Sequence, residues 1–334
     1  MKITVTGASG LLGSSVARIL VASGHAVTTL QRRPSEVDGA RDVLGTVTDP
    51  NAVAEAVAGA DAVIHLAAKV SLTGDPSEFA AVNIGGTRTL ISAAQAAGVT
   101  RFVHISSPSV AHTGESIVGD GAGPASPDHA RGEYARTKAA GERLALAADA
   151  EDFRVLVLRP HLMWGPGDAQ LTERVIDRAR AGRMPVLGSG AALVDTLFVD
   201  NAVEAIIAAL TAVDVTHGEA LVVTNGQPRP IGELMSRIAI AGGATEPRLR
   251  IPVAPALVAG SLVERVWDLS DHDDEPPLTR FLAEQLSTAH WFDQRRTQEV
   301  LDWTPRVSIE EGLDLLAAHC AQEGAAEHED ATRA

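Results

Sequence analysis

Residues 2–13 read KITVTGASGLLG. A β-branched run, Lys2–Thr6, turns at Gly7 into Ala8-Ser9-Gly10-Leu11-Leu12-Gly13. Apolar residues at helical spacing continue over Leu11–Ser23 and stop at Gly24, a usual helix end. In a strand–turn–helix context each glycine has a reason. Gly7 permits the tight turn, Gly10 lets the backbone approach a pyrophosphate, and Gly13 allows close packing of helix on strand. Ser9, Leu11 and Leu12 complete the loop at the helix N-terminus, where the phosphate would sit. The loop predicts dinucleotide binding.

Outward from this loop the first 160 residues keep alternating. Strands are expected at Lys2–Thr6, Ala26–Leu30, Ala62–Leu66, Arg101–Ser106 and Arg154–Leu158, with helices at Leu11–Ser23, Glu78–Ala97 and Tyr134–Ala147. Strands alternating with helices imply crossover units and a parallel sheet covered on both faces, an α/β fold of the Rossmann-type doubly wound kind. After Pro160 proline and glycine become frequent (WGPGD, GSG, NGQPRP) and the elements shorten. Residues 1–160 are therefore expected to form the cofactor domain and 161–320 a smaller, mostly helical C-terminal substrate lobe, interleaved with the sheet. The polar tail, 321–334, is expected to be disordered. No internal repeat is found.

The chain has 334 residues, 45% of them hydrophobic, and a formal net charge of -15. That charge repels phosphate backbones and anionic lipid, so nucleic acid is not an expected partner. The acidic stretches Asp268–Glu275 and Glu323–Asp330 read as solvated. One cysteine, Cys320, excludes an intrachain disulfide and a thiolate metal site and fits a reducing, cytoplasmic compartment. The eleven histidines show no metal-ligand spacing, so no metal is expected. Nothing resembles a leader peptide or a membrane span. The most apolar segment, Ile251–Val263, is interrupted by Pro252 and Pro255 and stopped by Glu264. It reads as buried packing, with an amphipathic surface helix or a dimer contact as alternatives.

The second strand runs into Gln31-Arg32-Arg33. A carboxylate that would accept from a ribose 2′-hydroxyl is missing there, whereas two guanidinium groups suit a 2′-phosphate. NADP(H) is expected, with NAD(H) as the alternative. Further on, Tyr134 and Lys138 stand four apart on one helix, on the same face. A phenol can protonate a developing alkoxide, and a neighbouring ammonium should lower its pKa. Ser106 and Ser107 follow a strand, where a hydroxyl could hydrogen-bond a reacting carbonyl.

TGASGLLG, HLAAK, VNIGGT, ISSPSV, YARTK and LRP-HLMWGPGD together resemble the extended short-chain dehydrogenases/reductases, from about Met1 to Leu316. The resemblance implies Ser107 as the catalytic serine, three before Val110, rather than Ser106. It implies Tyr134 as general acid/base and Lys138 as the residue that holds the nicotinamide ribose and tunes the tyrosine. It also implies cofactor contacts from His65, Leu66, Ala67, Ala68, Lys69, Asn83 and the Pro160-His161-Leu162 backbone. In the adenine turn, Gly45-Thr46-Val47-Thr48-Asp49 departs from the family pattern. Thr46 replaces the usual acidic residue, and Val47 still offers its amide. Relatives are often dimers through the tyrosine–lysine helix, so a homodimer is expected.

Within the family, Pro277–Phe281 and HWFDQRRTQEVLDWTPRVSIEEGL are similar to the 3β-hydroxysteroid dehydrogenase branch. ISSPSVAH, LRPHLMWGPGD and LVDTLFVDNA are more similar still to the 2-alkyl-3-oxoalkanoate reductases of bacterial long-chain olefin biosynthesis. This implies NADPH-dependent reduction of a hydrophobic long-chain keto acid, in company with other olefin-pathway enzymes. The alternatives are an NAD-dependent 3β-hydroxysteroid or sterol dehydrogenase, a sugar-nucleotide epimerase or dehydratase, and a non-catalytic dinucleotide sensor. Sugar-nucleotide relatives commonly carry a polar residue where Leu162 stands. Leu162, Met163 and Trp164 suit an oily substrate instead, and His112, His161 and Lys69 are candidates to meet a carboxylate.

Overall fold

The computed structural model describes residues 1–71, 74–268 and 279–333. Most of the acidic stretch 268–275, and Pro277-Leu278, lie outside the described residues. Seven parallel strands form the central sheet: β1 (Lys2–Thr6), β2 (Ala26–Gln31), β3 (Arg41–Leu44), β4 (Ala62–His65), β5 (Arg101–Ile105), β6 (Arg154–Pro160) and β7 (Glu219–Val223), in the order β7-β6-β5-β4-β1-β2-β3. The order reverses between β1 and β4, and in open sheets of this kind ligands bind beyond the carboxyl ends of the strands there. The expected strands are all present. β3 and β7 were not anticipated, and β7 shows that the second half of the chain completes the sheet.

Helices cover both faces, which is why Val155–Leu158 of β6 is a continuous apolar run with no exposed surface. On one face Leu11–Ala22 and Val199–Ala212 pack on Ile3, Val5, Ile64 and Leu156. On the other, Pro50–Val57 and Thr87–Ala96 pack on Leu30, Val63, Phe102 and Val155. The helix expected over Glu78–Ala97 is a single rod whose middle turn, Ala80–Gly86, is π-helical. A separate core joins Trp164, Phe198, Leu234, Ile238 and Leu313 in the C-terminal part.

Two expectations are corrected. Val253–Asp268 is an unbroken helix, because Pro255 falls in its first turn, where no backbone donor is needed. Ala256 faces inward, but Val258 and Leu262 are more than half exposed, so this is an amphipathic surface helix and not a fully buried one. The last helix, Ile309–Arg333, runs on through the polar tail from Gln322, where disorder was expected. Its alanines and glutamates are strong helix formers. Among the described residues no helix is long and apolar enough to cross a membrane.

Candidate active site

The glycine loop has the geometry its sequence demands. Gly7 sits at φ +79°, and a Cβ there would lie 2.9 Å from the Ala67 backbone nitrogen. A Cβ on Gly13 would come within 2.3 Å of the Gly7 carbonyl oxygen, so that glycine keeps helix and strand in contact. Gly10 meets nothing nearer than 3.6 Å, which leaves its outer side open. It caps the helix Leu11–Ala22 without any side-chain hydrogen bond, so the first amides remain available to an anion. Leu11 is partly exposed and lies beside Gly167. This cradle fits a dinucleotide pyrophosphate.

At the end of β2, Arg32 and Arg33 are exposed. Gln31 is buried and points away from them, its amide donating to the Thr29 hydroxyl at 3.0 Å and to Asp42 at 3.1 Å. Asp42 also accepts from Thr29, at 2.5 Å, and from the Ser35 hydroxyl and amide. Burial would raise its pKa, but these donors outweigh it and hold the carboxyl below its usual range. A carboxylate does therefore stand near the ribose end, supplied by β3 and not by β2. It anchors the loop that carries the two arginines. Val47 packs under Gly86, while Thr46 accepts from the hydroxyl of Thr48.

Below the loop, several expected cofactor contacts serve the fold. His65 bridges the hydroxyls of Thr6 and Thr87, at 2.8 and 3.1 Å. Burial first, and the Lys138 charge second, lower its pKa to about 3, so it is neutral. The Asn83 carboxamide clasps the Lys69 backbone in both directions and donates to Thr137. It thereby fixes the turn Leu66-Ala67-Ala68-Lys69 against the tyrosine–lysine helix. The Lys69 ammonium pairs with Glu78 and lies over the Phe79 ring. Glu78 is therefore the carboxylate that Lys69 meets in this structure.

Ser107 opens the 3₁₀ turn Pro108–Ala111, and its hydroxyl accepts from the Ser109 hydroxyl at 3.0 Å. The Ser107 side chain also acts on the Tyr134 phenol, on the helix Gly132–Ala147, in the direction that favours its ionised form. Ser106 is buried with its hydroxyl unpartnered, whereas the Ser107 side chain bears on the tyrosine. Lys138 is buried one turn after Tyr134, and its ammonium donates to the Ile105 carbonyl at 2.6 Å. Burial lowers its pKa to about 8, opposed by the Glu142 carboxylate. Glu142 itself is fully buried and pairs with Arg159 at 2.5 Å. The expected depression of the tyrosine is reversed. Burial pushes the Tyr134 phenol up, and the Ser107 hydrogen bond offsets this only in part. A protonated phenol suits proton donation.

The Pro160–Leu162 segment leaves the end of β6. Leu162 is half-buried at φ +42°, a left-handed conformation rare for a branched side chain. His161 and His112 are both buried nearby. Met163 is half-buried and pairs with Leu197 in a short two-stranded ladder. Trp164 is fully buried, its indole donating to Thr196 at 3.1 Å and its ring edge-on to Phe198. It belongs to the core, not to a substrate surface. Asp42 and His290 went unnoticed in the sequence. No motif marks either, and only the fold brings them in.

Residues 3–224 match the NAD dependent epimerase/dehydratase family, and the chain belongs to it, as an extended short-chain dehydrogenase/reductase. It is an oxidoreductase acting on hydroxyl or keto groups. The chain is 41% identical to a 2-alkyl-3-oxoalkanoate reductase of Stenotrophomonas maltophilia, over 96% of its length and 100% of the relative's. It is 30% identical to a 3-beta-hydroxysteroid dehydrogenase of Mycolicibacterium neoaurum, over 93% and 89%. Among solved structures, MoeE5 in complex with UDP-glucose and NAD superposes with a TM-score of 0.73 at 26% identity, covering 97% of this chain and 99% of that one.

Proposed function

We propose that this chain uses NADPH to reduce a 2-alkyl-3-oxo acid to the 2-alkyl-3-hydroxy acid, a step toward long-chain olefins. The reading is supported by Ser107, just beyond β5, whose side chain acts on the buried Tyr134 phenol, and by Lys138, one helical turn after Tyr134, whose ammonium donates to the Ile105 carbonyl at the end of β5. The reductase relative supports the substrate class, and the exposed Arg32 and Arg33 support NADPH. A reduced nicotinamide, when bound, supplies the hydride. Ser107 and Tyr134 hydrogen-bond the carbonyl oxygen, and Tyr134 passes its proton to that oxygen as negative charge develops there. Lys138, fixed by the Ile105 carbonyl, keeps a positive charge beside the phenol that has given up its proton. A homodimer goes with this reading, through the outer faces of Thr87–Ala96 and Gly132–Ala147. Ile84, Pro127, Ala140 and Leu144 line a surface cleft between those faces.

A second reading, oxidation of a 3β-hydroxysteroid with NAD, draws on the steroid dehydrogenase relative and on Asp42, a carboxylate at the ribose end. One assay separates the two. NADPH consumption with a 2-alkyl-3-oxo acid should exceed NAD reduction with a 3β-hydroxysteroid, and the opposite ranking would overturn the first reading.

A further inference from the structure

His112, His161 and His290 come from three distant segments and meet behind the catalytic serine. His112 ends the 3₁₀ turn that Ser107 begins, His161 follows the end of β6, and His290 lies on the short strand His290–Phe292. The rings of His161 and His290 stand edge-on with centroids 4.9 Å apart, and those of His112 and His290 at 6.4 Å. All three are more than nine-tenths buried. Four of their ring nitrogens have no hydrogen-bond partner: both of His112, Nδ1 of His161 and Nδ1 of His290. His290 Nε2 is engaged with the Gln285 carbonyl at 2.7 Å. Buried polar atoms are rarely left this way unless something else completes them. We propose that these three histidines form a carboxylate-binding subsite beside the catalytic set. The inference rests on the reading of the substrate as a 3-oxo acid and says where its acid group goes.

Charges of both signs face the cluster. Arg131, immediately before the helix of Tyr134, faces His112 with its charge. Glu284, paired with Arg280, acts on His112 more strongly than Arg131 does. The Glu115 backbone approaches His112, and the Asp195 backbone approaches His161. The Asp195 carboxyl is turned away, to the Thr224 hydroxyl and the Gln227 amide. Burial lowers the pKa of all three histidines, so the cluster is neutral near pH 7. An arriving carboxylate stabilises imidazolium and raises those values. Binding therefore takes up protons, and affinity falls as pH rises through the pKa of the bound state.

The test is calorimetric titration of the NADP-loaded protein with octanoate, and with 1-octanol as the neutral control. It is run in two buffers of different ionisation enthalpy. Octanoate should bind with net proton uptake. His112→Gln, His161→Gln and His290→Gln should each weaken octanoate by roughly tenfold to a hundredfold and leave octanol unchanged, the range for hydrogen bonds to a charged group. Octanoate binding without proton uptake, or octanoate and octanol weakened alike, would overturn the subsite. Proton uptake by the unaltered protein decides the matter even if a variant fails to fold. A protein that binds octanoate in this way but reduces no 2-alkyl-3-oxo acid would refute the proposed reaction and leave the anion subsite standing.

Discussion

Replacing Glu142 by glutamine tests how the fold supports Lys138. Glu142 and Arg159 are 0% and 1% exposed, joined by two hydrogen bonds of 2.9 and 2.5 Å. Arg159 also donates to the Ala122 and Gly123 carbonyls. Glu142→Gln leaves that guanidinium buried beside a neutral amide. Breaking a buried pair from one side costs about 3–5 kcal/mol. With an unfolding entropy of about 2.1 cal/mol/K per residue, a chain this long should lose roughly 4–7 °C in Tm. The same change removes the negative charge that opposes burial at Lys138, whose pKa already stands at about 8. The alkaline limb of kcat/KM for ketone reduction should therefore move to lower pH. Calorimetry and a pH–rate profile read the two effects separately. Glu142→Leu with Arg159→Met should cost less than either single change, since no charge is stranded. An unchanged Tm, or an unmoved alkaline limb, would refute the reasoning.

Other consequences follow from single side chains. Arg32→Ala with Arg33→Ala should raise KM for NADPH by roughly tenfold or more, the loss of at least one charge-assisted hydrogen bond, and leave KM for NADH in place. Leu162→Asn should stabilise the chain by about 1 kcal/mol, because asparagine tolerates the left-handed backbone at φ +42° better. It should also raise KM for long-chain ketones, measured beside the melting temperature. Gly13→Ala drives a methyl into the Gly7 carbonyl 2.3 Å away, so it should lower stability by about 1–3 kcal/mol and weaken dinucleotide binding, seen by cofactor titration.

The sequence made the cofactor half legible because its signals are local. A glycine loop between strand and helix, and a tyrosine and lysine one turn apart, need no knowledge of distant contacts. β3 escaped notice because RDVL is short and carries charge on an exposed edge, with only Val43 buried. β7 lies beyond the prolines and glycines that follow Pro160, where periodicity fades. With β3 went Asp42, so the ribose end looked free of carboxylates. Trp164 seemed a substrate contact until the fold placed it against Phe198. The direction of the Tyr134 shift was misread for a related reason. Spacing on a helix puts Lys138 near, but only packing decides that its ammonium is held by Ile105 and that burial governs the phenol.

The most direct measurement compares single-turnover oxidation of NADPH by a 2-alkyl-3-oxo acid in the unaltered protein and in Tyr134→Phe. If the phenol delivers the proton, the variant should bind NADPH normally and react about two to four orders of magnitude more slowly. Equal rates would contradict that assignment.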